Sequence, residues 1–124
     1  MIPEDLYYSN EHEWVRLDDD IATVGITDFA QEQLGEIVYA DLPQPGDSVE
    51  AGSTVGELES TKAVSDVFSP VAGEVVVSND GLHDNYEVFG TDPYGEGWLF
   101  KVRVAPDAVE GLMSAEEYAG LITP

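Results

Sequence analysis

Cysteine is absent from the sequence, and this absence excludes several kinds of chemistry. A chain without cysteine has no disulfide framework, no cysteine-ligated metal site and no cysteine nucleophile. An apolar run of about 18 residues is also missing, so we expect no membrane-spanning helix and no membrane partner. The first five residues, Met-Ile-Pro-Glu-Asp, lack the basic start and the apolar stretch of a signal peptide. These features predict a cytoplasmic protein.

Basic residues are scarce, with 4 Lys and Arg against 26 Asp and Glu, which gives a formal net charge of −22 at pH 7. A nucleic acid would meet a repelling field over nearly the whole surface, so we expect no nucleic-acid partner. The acidic residues are spread along the chain, and residues 18–20 form the only run of three. This spread favours a halophilic protein whose surface charges are screened within about 3 Å at molar salt. A specific cationic partner is the alternative interpretation.

The apolar pattern predicts a mainly β protein with one core. Hydrophobic residues make up 43% of the 124 residues, which is enough for a folded domain despite the charge. Apolar and polar residues alternate most clearly at residues 22–26 and 100–104. Further strands are predicted at 14–17, 36–42, 55–60, 63–68 and 74–78. We therefore expect a single domain over residues 1–124, with its core at about 7–104.

Two helical segments are predicted from their capping residues. Thr27 can cap a short helix near residues 27–34, because the hydroxyl can accept from the first turn and a glycine follows the segment. Ser114 and Glu117 form a capping-box pattern before an apolar run. We expect a C-terminal helical segment at about 106–122 that covers the β core.

Two turn regions of the sequence share a weak internal repeat. Residues 43–49 and 70–76 share the pattern Pro-x-x-Gly-(Asp/Glu)-x-Val, offset by 27 residues. The repeat predicts two similar β units that face each other.

Lys62 is the most informative single residue. Two predicted strands meet at residues 60–63, which places this lysine at a hairpin tip, and it is one of only two lysines in the chain. A turn lysine is ordinarily a solubilising residue. In a chain that has so few cations, a primary amine on a protruding turn is instead suited to amide formation with a carboxylic-acid cofactor. Glu59 and Asp66 flank this position, either as docking charges or as part of the solvated surface.

Four blocks of the sequence match, in the same order, the pattern of a known protein family. They are residues 8–15, residues 24–35 with 42–43, residues 57–75, and residues 92–99. The third block reads Glu57-Leu-Glu-Ser-Thr-Lys62-Ala-Val-Ser-Asp66 and continues with Ser-Pro-Val-Ala-Gly73 a few positions later. Together the blocks resemble the glycine cleavage system H protein family over roughly residues 7–104, and the third is similar to the family's lipoyl-attachment region.

The resemblance implies a fold, a cofactor and a set of partners. The implied fold is a lipoyl-domain-like barrel-sandwich hybrid with flanking helices, and the implied cofactor is lipoate in amide linkage to Lys62. Such a protein is a carrier and not an enzyme. It takes an aminomethyl group from glycine decarboxylase to aminomethyltransferase and is then reoxidised by dihydrolipoyl dehydrogenase. A lipoate ligase or lipoyl transferase attaches the cofactor, whose sulfurs supply the redox chemistry that a cysteine-free chain lacks.

The resemblance also implies where the loaded arm binds. It places Glu13 and Asp66 near the arm, where carboxylates could hold a cationic amine by charge-assisted hydrogen bonds. An ordinary surface carboxylate is the alternative for Glu13. His12 is expected to pack or form a hydrogen bond rather than act as an acid or base. We expect no catalytic residue and no metal site.

The chain departs from the usual family pattern in the segment before the last block. Tyr86 stands where a proline is usual, and Gly90 stands where an asparagine is usual. The path of this loop is therefore left open, whereas the attachment region is unaffected.

Two other functions fit part of the pattern. A lipoate-relay or interaction module on the same scaffold would need the same lysine. A biotinyl carrier usually has methionines beside its lysine, whereas Thr61 and Ala63 flank Lys62. An independent enzyme has little support, because it would need a nucleophile and a base that converge, and nothing beyond the isolated His12 and His83 offers them.

Overall fold

The computed structural model describes residues 2–122, and within them nine strands form two antiparallel sheets. Met1 and the last two residues, which the predicted domain includes, lie outside the described part. The strands are β1 (Tyr7–Tyr8), β2 (Glu13–Asp18), β3 (Ile21–Ile26), β4 (Ile37–Asp41), β5 (Ser48–Val49), β6 (Thr54–Ser60), β7 (Val64–Phe68), β8 (Gly73–Ser78) and β9 (Phe100–Arg103). The larger sheet has the order β1-β2-β3-β9-β8-β5, and the smaller has the order β4-β6-β7. The prediction of a mainly β protein is confirmed.

Side chains from both sheets meet in one apolar core. Val24 and Phe100 enter it from the larger sheet, and Leu58 and Val67 enter it from the smaller. The alternation of apolar residues along β3 is the cause, because successive side chains of a strand point to opposite faces. Gly25, on the other face of β3, lies under the indole of Trp14, where a Cβ would collide with the ring. The larger sheet therefore packs on both faces, with Trp14 in a second apolar cluster.

The predicted capping residues begin both α1 and α3, and the predicted glycine, Gly35, ends α1. In α1 (Asp28–Leu34) the Thr27 hydroxyl accepts from the N–H of Ala30 at 3.2 Å. The capping box of α3 (Ala115–Ile122) is formed by Ser114 and Glu117, with bonds of 2.9 and 3.2 Å. Within residues 2–122 no helix has the length and apolarity needed to cross a membrane.

The segment before α3 differs from the prediction. Residues 106–111 form consecutive turns instead of the expected start of a helix. Their backbone hydrogen bonds span three residues, as from the N–H of Ala108 to the carbonyl of Ala105 at 3.1 Å, so the four-residue ladder of an α-helix does not form. The sequence also did not reveal a 3₁₀ helix (Asp80–Asp84) and the short helix α2 (Val88–Thr91).

The two repeated segments lie side by side. Strand β5 in the first copy pairs with β8 in the second, with Ser48 opposite Glu74. The N–H of Gly46 donates to the carbonyl of Val75 at 2.8 Å, and the N–H of Val75 donates to the carbonyl of Asp47 at 2.8 Å. The two copies are therefore neighbours in the larger sheet, and the arrangement of two β units that face each other stays a prediction.

Nearly all the negative charge is in solvent. Every Asp and Glu in residues 2–122 is exposed except the half-buried Asp28 and the buried Glu13. One ion pair forms among these residues, between Arg103 and Asp20 at 3.7 Å, and both side chains are mostly exposed. The described part of the chain therefore offers few basic partners to its acidic side chains.

We expect the thermal midpoint to fall when salt is diluted from molar to millimolar concentration. The Debye length grows from about 3 Å at 1 M to about 30 Å at 0.01 M, so exposed carboxylates begin to repel each other across the protein. The midpoint is measured by circular dichroism in a potassium chloride series, with a nonionic osmolyte series as the control for solvent exclusion. A midpoint that is the same at both ends of the salt series would show that the fold tolerates its charge unscreened.

Candidate functional site

Lys62 lies at the tip of the hairpin that joins β6 to β7. The N–H of Ser60 donates to the carbonyl of Ala63 at 2.8 Å, which closes the turn. The Ser60 hydroxyl also accepts from the N–H groups of Lys62 and Ala63, at 3.1 and 3.0 Å. These bonds hold the backbone beneath the lysine in one conformation, while the lysine itself is exposed.

The tip of the hairpin is fastened to the junction of α1 and β4. The N–H of Thr61 donates to the carbonyl of Glu36 at 3.1 Å. The lysine stem passes over Gly35, where a Cβ would lie 3.2 Å from the Cε and 3.8 Å from the Nζ of Lys62. Gly35 also has a φ of +85°, a conformation that favours glycine. The root of the lysine side chain is therefore held against a rigid support.

The other three cations contact other parts of the protein. Arg16 donates to the carbonyl of Tyr94, Arg103 pairs with Asp20, and Lys101 lies over the ring of Trp98. Lys101 belongs to strand β9, as predicted. Within residues 2–122, Lys62 alone among the four basic side chains makes no ion pair, side-chain hydrogen bond or ring contact. Of the two lysine amines, it is thus the one that a modifying enzyme can reach more freely.

Glu13 is a buried carboxyl group, so the alternative of an ordinary surface carboxylate is wrong. The residue is 2% exposed. It accepts from the Ser9 hydroxyl at 2.8 Å and from the N–H of Phe68 at 3.1 Å. Burial raises its pKa from 4.5 to about 7, although the two hydrogen bonds oppose the rise. It lines a cavity of about 320 Å³ whose wall also includes Pro70 and Leu112.

One face of β7 connects the lysine tip with this cavity. Val64, Asp66 and Phe68 alternate on that face, and Val64 is 58% exposed. Phe68 donates its N–H to Glu13, and Asp66 is two residues nearer the tip. Lys62 is six residues from Phe68, or about 20 Å at roughly 3.3 Å per residue. Asp66 therefore lies on β7 between the Lys62 tip and the residue that bonds to Glu13.

His12 is a packing and hydrogen-bonding residue, as expected. Its Nδ1 lies 2.8 Å from the hydroxyl of Tyr118, and its ring centroid lies 4.8 Å from that of Phe29. Burial lowers its pKa, because the charged form loses water. The Tyr118 hydroxyl also lies 2.8 Å from the hydroxyl of Thr27, so this cluster ties α3 to the start of α1.

The sequence did not reveal the two residues that donate hydrogen bonds to Glu13. Ser9 precedes Glu13 by four residues, and a serine in a turn before a strand is a signal that could have been used. The N–H of Phe68 comes from a position 55 residues away and carries no such signal. Within the described residues, no group of three His, Cys, Asp or Glu side chains is arranged to hold a metal ion.

Two antiparallel sheets around one core, with an exposed lysine at a hairpin tip, define a lipoyl-domain-like barrel-sandwich hybrid, which is the predicted fold. The model of one sequence family, the glycine cleavage H-protein family, matches residues 6–124. The chain belongs to this family. Its H proteins are carriers of the glycine cleavage system and not enzymes, so the chain is a carrier.

Similar proteins span nearly the whole chain. A glycine cleavage system H protein of Bacteroides thetaiotaomicron is 51% identical over 121 residues, covering 97% of this chain and 96% of the relative. One of Marinobacter nauticus is 55% identical over 120 residues, covering 95% and 92%. The crystal structure of a glycine cleavage system H protein from Mycobacterium marinum has a TM-score of 0.89 and 44% identity, covering 96% of this chain and 97% of that one.

Proposed function

We propose that the chain is the lipoyl carrier of a glycine cleavage system, with lipoate in amide linkage to Lys62. The observation that carries this proposal is the exposed Lys62 ammonium, the one basic group in residues 2–122 that no other side chain engages. When bound, lipoate supplies a dithiolane that takes up an aminomethyl group from glycine decarboxylase, yields it to aminomethyltransferase, and is reoxidised by dihydrolipoyl dehydrogenase. A lipoate ligase or lipoyl transferase is the expected modifying partner.

The hairpin tip fits this cofactor. Amide formation at Nζ removes the only charge of the side chain and extends its flexible stem. The turn around Ser60 and the bond from Thr61 to Glu36 keep the root of the arm fixed. All mobility then resides in the side chain and the cofactor, so the arm can reach different partners while the fold stays unchanged.

We further propose that Asp66 and Glu13 hold a cationic amine carried by the arm. Asp66 is paired across the strands with Glu57, and both are exposed, so a negative patch lies between the tip and the Glu13 cavity. A cation that enters the cavity favours the charged form of Glu13 and lowers its pKa. The cavity wall also excludes water from the amine, which protects it from hydrolysis.

Glu13→Gln is expected to make the isolated aminomethyl-loaded protein release ammonia and formaldehyde roughly tenfold faster or more. The substitution keeps the shape of the side chain but removes a charge-assisted contact typically contributing about 1.5 to 3 kcal/mol. Asp66→Asn is expected to accelerate release by less than about fivefold, because contacts of exposed charges contribute about 1 kcal/mol or less. Both effects should grow at low salt. The measurement is the first-order rate of ammonia release.

Asp18→Asn is the matched control, because Asp18 is an exposed carboxylate at the opposite end of β2 from Glu13. It should leave the rate unchanged. Equal release rates in all four proteins would show that Glu13 and Asp66 do not hold the amine.

A further inference from the structure

The turn between β1 and β2 contains a serine whose hydroxyl makes three hydrogen bonds. The Ser9 hydroxyl accepts from the N–H of Glu11 at 3.3 Å and from the N–H of Glu13 at 3.2 Å. It donates to the Oε1 of Glu13 at 2.8 Å. A hydroxyl has two acceptor lone pairs and one hydrogen, so these contacts use its whole capacity. The hydrogen therefore has one direction, toward the carboxyl group of Glu13.

The backbone of this turn holds Ser9 against Glu13. The N–H of Ser9 donates to the carbonyl of Glu13 at 2.9 Å, and the N–H of His12 donates to the carbonyl of Ser9 at 3.2 Å. His12 has a φ of +68°, in the left-handed region that a residue with a side chain seldom adopts. Its carbonyl accepts from the N–H of Thr27 at 3.0 Å. Such strain persists where surrounding bonds fix the backbone, and it is common at functional sites.

Both oxygens of the Glu13 carboxyl group accept from donors that cannot accept in return. Oε1 faces the Ser9 hydroxyl, whose lone pairs are already used, and Oε2 accepts from the N–H of Phe68 at 3.1 Å. A proton on Glu13 can be shared with neither partner, so it must lie on one of the remaining lone pairs. In its charged form, Glu13 therefore offers acceptor positions alone to a group that enters the cavity.

Few other ionisable groups act on Glu13. Within the described residues, the exposed Glu11 is the other ionisable side chain that lines the cavity. Tyr118 of α3 interacts with Glu13 electrostatically, and Asp66 is the one charged residue of β7. The segment before α3 gives the cavity the uncharged residues Ala108, Gly111 and Leu112. Within residues 2–122, Ser9 is the one side chain that donates a hydrogen bond to Glu13.

We propose that Ser9 is a positioning residue that makes the Glu13 cavity selective for a cationic amine. Its donation to Oε1 holds the carboxyl group in one orientation and favours the charged form, which can only accept. Without this donor the carboxyl group binds a proton more readily, and its own hydrogen then competes with the N–H groups of an ammonium ion. This inference rests on the function proposed above and names a residue on which the recognition of charge depends.

The titration of Glu13 in the unmodified protein tests whether Ser9 acts on it. Burial raises the pKa of Glu13 to about 7, and the bond from Ser9 opposes the rise. Ser9→Ala should raise the midpoint by about one further pH unit, an effect that a lost hydrogen bond to a charged group can supply. Ser9→Thr keeps the hydroxyl and should retain the parent midpoint. The measurement is the NMR shift of the glutamate carboxyl carbon, with the Glu13 signal identified by its absence from Glu13→Gln.

The ammonia-release rate of the aminomethyl-loaded protein tests whether the action of Ser9 reaches the amine. A midpoint moved from about 7 to about 8 lowers the charged fraction of Glu13 roughly fivefold at pH 7. Ser9→Ala should therefore release ammonia roughly fivefold faster than the parent at this pH. At about pH 8.5 the carboxyl group is mostly charged in both proteins, so the ratio of rates should fall below about twofold. A merely structural defect would not give a ratio with this pH dependence.

Ser48→Ala is the matched control, because it removes the hydroxyl of an exposed serine in β5. It should change neither the titration of Glu13 nor the release rate. Circular dichroism at each pH establishes that the variants are folded.

The possible outcomes separate the two proposals. A Ser9→Ala protein with the parent's Glu13 midpoint overturns the role of Ser9 and leaves the carrier function standing. The same conclusion follows if Ser9→Ala releases ammonia at the parent's rate at pH 7, or if Ser9→Thr behaves like Ser9→Ala. A chain that a competent ligase does not lipoylate on Lys62 overturns the carrier function and, with it, the role of Ser9 toward the amine.

Discussion

Lys62→Arg is expected to abolish lipoylation completely and carrier activity with it. A guanidinium stays protonated and cannot form the amide that a lysine amine forms, although it keeps the positive charge. The side chain is exposed, so the free energy of unfolding should change by less than about 0.5 kcal/mol. Intact mass measures the modification, thermal unfolding measures the fold, and glycine turnover with the three partner enzymes measures the carrier activity.

Lys101→Arg is the matched control for this substitution, because it makes the same change at the other lysine. Lys101 lies within β9 against Trp98 and not at the tip of a hairpin, so this variant should be lipoylated and active. Lipoylated Lys62→Arg protein, or loss of lipoylation in Lys101→Arg, would show that the attachment site has been assigned to the wrong residue.

The free energy of unfolding is expected to fall as the pH rises from about 4.5 to about 7, through the titration of Glu13. Burial raises the pKa of this carboxyl group from 4.5 to about 7 in the folded protein. Between these values the folded state holds a proton that the unfolded state has released, so raising the pH favours unfolding. The stabilisation is fully present below about pH 4.5 and is lost by about pH 7. The free energy of unfolding falls by on the order of 3 kcal/mol between these two pH values.

Glu13→Gln isolates this effect, because glutamine does not titrate and keeps an oxygen that can accept from Phe68. Unfolding by urea is measured across the pH range for both proteins at constant molar salt. The exposed carboxylates are common to both, so their contribution cancels in the difference. The free energy of unfolding of Glu13→Gln minus that of the parent should increase by about 3 kcal/mol between pH 4.5 and pH 7. Parallel pH profiles would mean that Glu13 titrates alike in the folded and unfolded states.

Much of the fold was predictable because its signals are local. The alternation at residues 22–26 and 100–104 predicted β3 and β9 within one residue at each end. Thr27 and Ser114 predicted helix starts, because a capping hydroxyl acts on backbone groups only a few residues away. Strands of two residues, such as β5, have no periodicity to detect, and their pairing partners decide whether they form.

The site was predictable only in part, because some of its contacts are local in the sequence and others join distant segments. The turn at Lys62 depends on Ser60 and Ala63, which are its neighbours in sequence. The burial of Glu13 depends on β7, which lies far along the chain, and its raised pKa follows from that packing. Sequence patterns gave no information on which part of β7 lies against the start of β2.

The alternative functions are separated by different measurements. Biotin and lipoate differ in mass, so the modified peptide distinguishes a biotinyl from a lipoyl carrier. A lipoate-relay module would carry the same group on Lys62. It would pass that group to another lipoyl-accepting protein and would not support glycine turnover with the three partner enzymes. Carrier activity in the glycine reaction, lost in Lys62→Arg, is the result that our proposal requires.

The most direct test of the central claim is intact mass with peptide mapping of the chain after incubation with lipoate, ATP and a lipoate ligase. Our account predicts one lipoyl group per chain, located on Lys62 in the peptide that spans the β6–β7 turn. Protein that gains no lipoyl group, or that carries it on Lys101, would contradict the account.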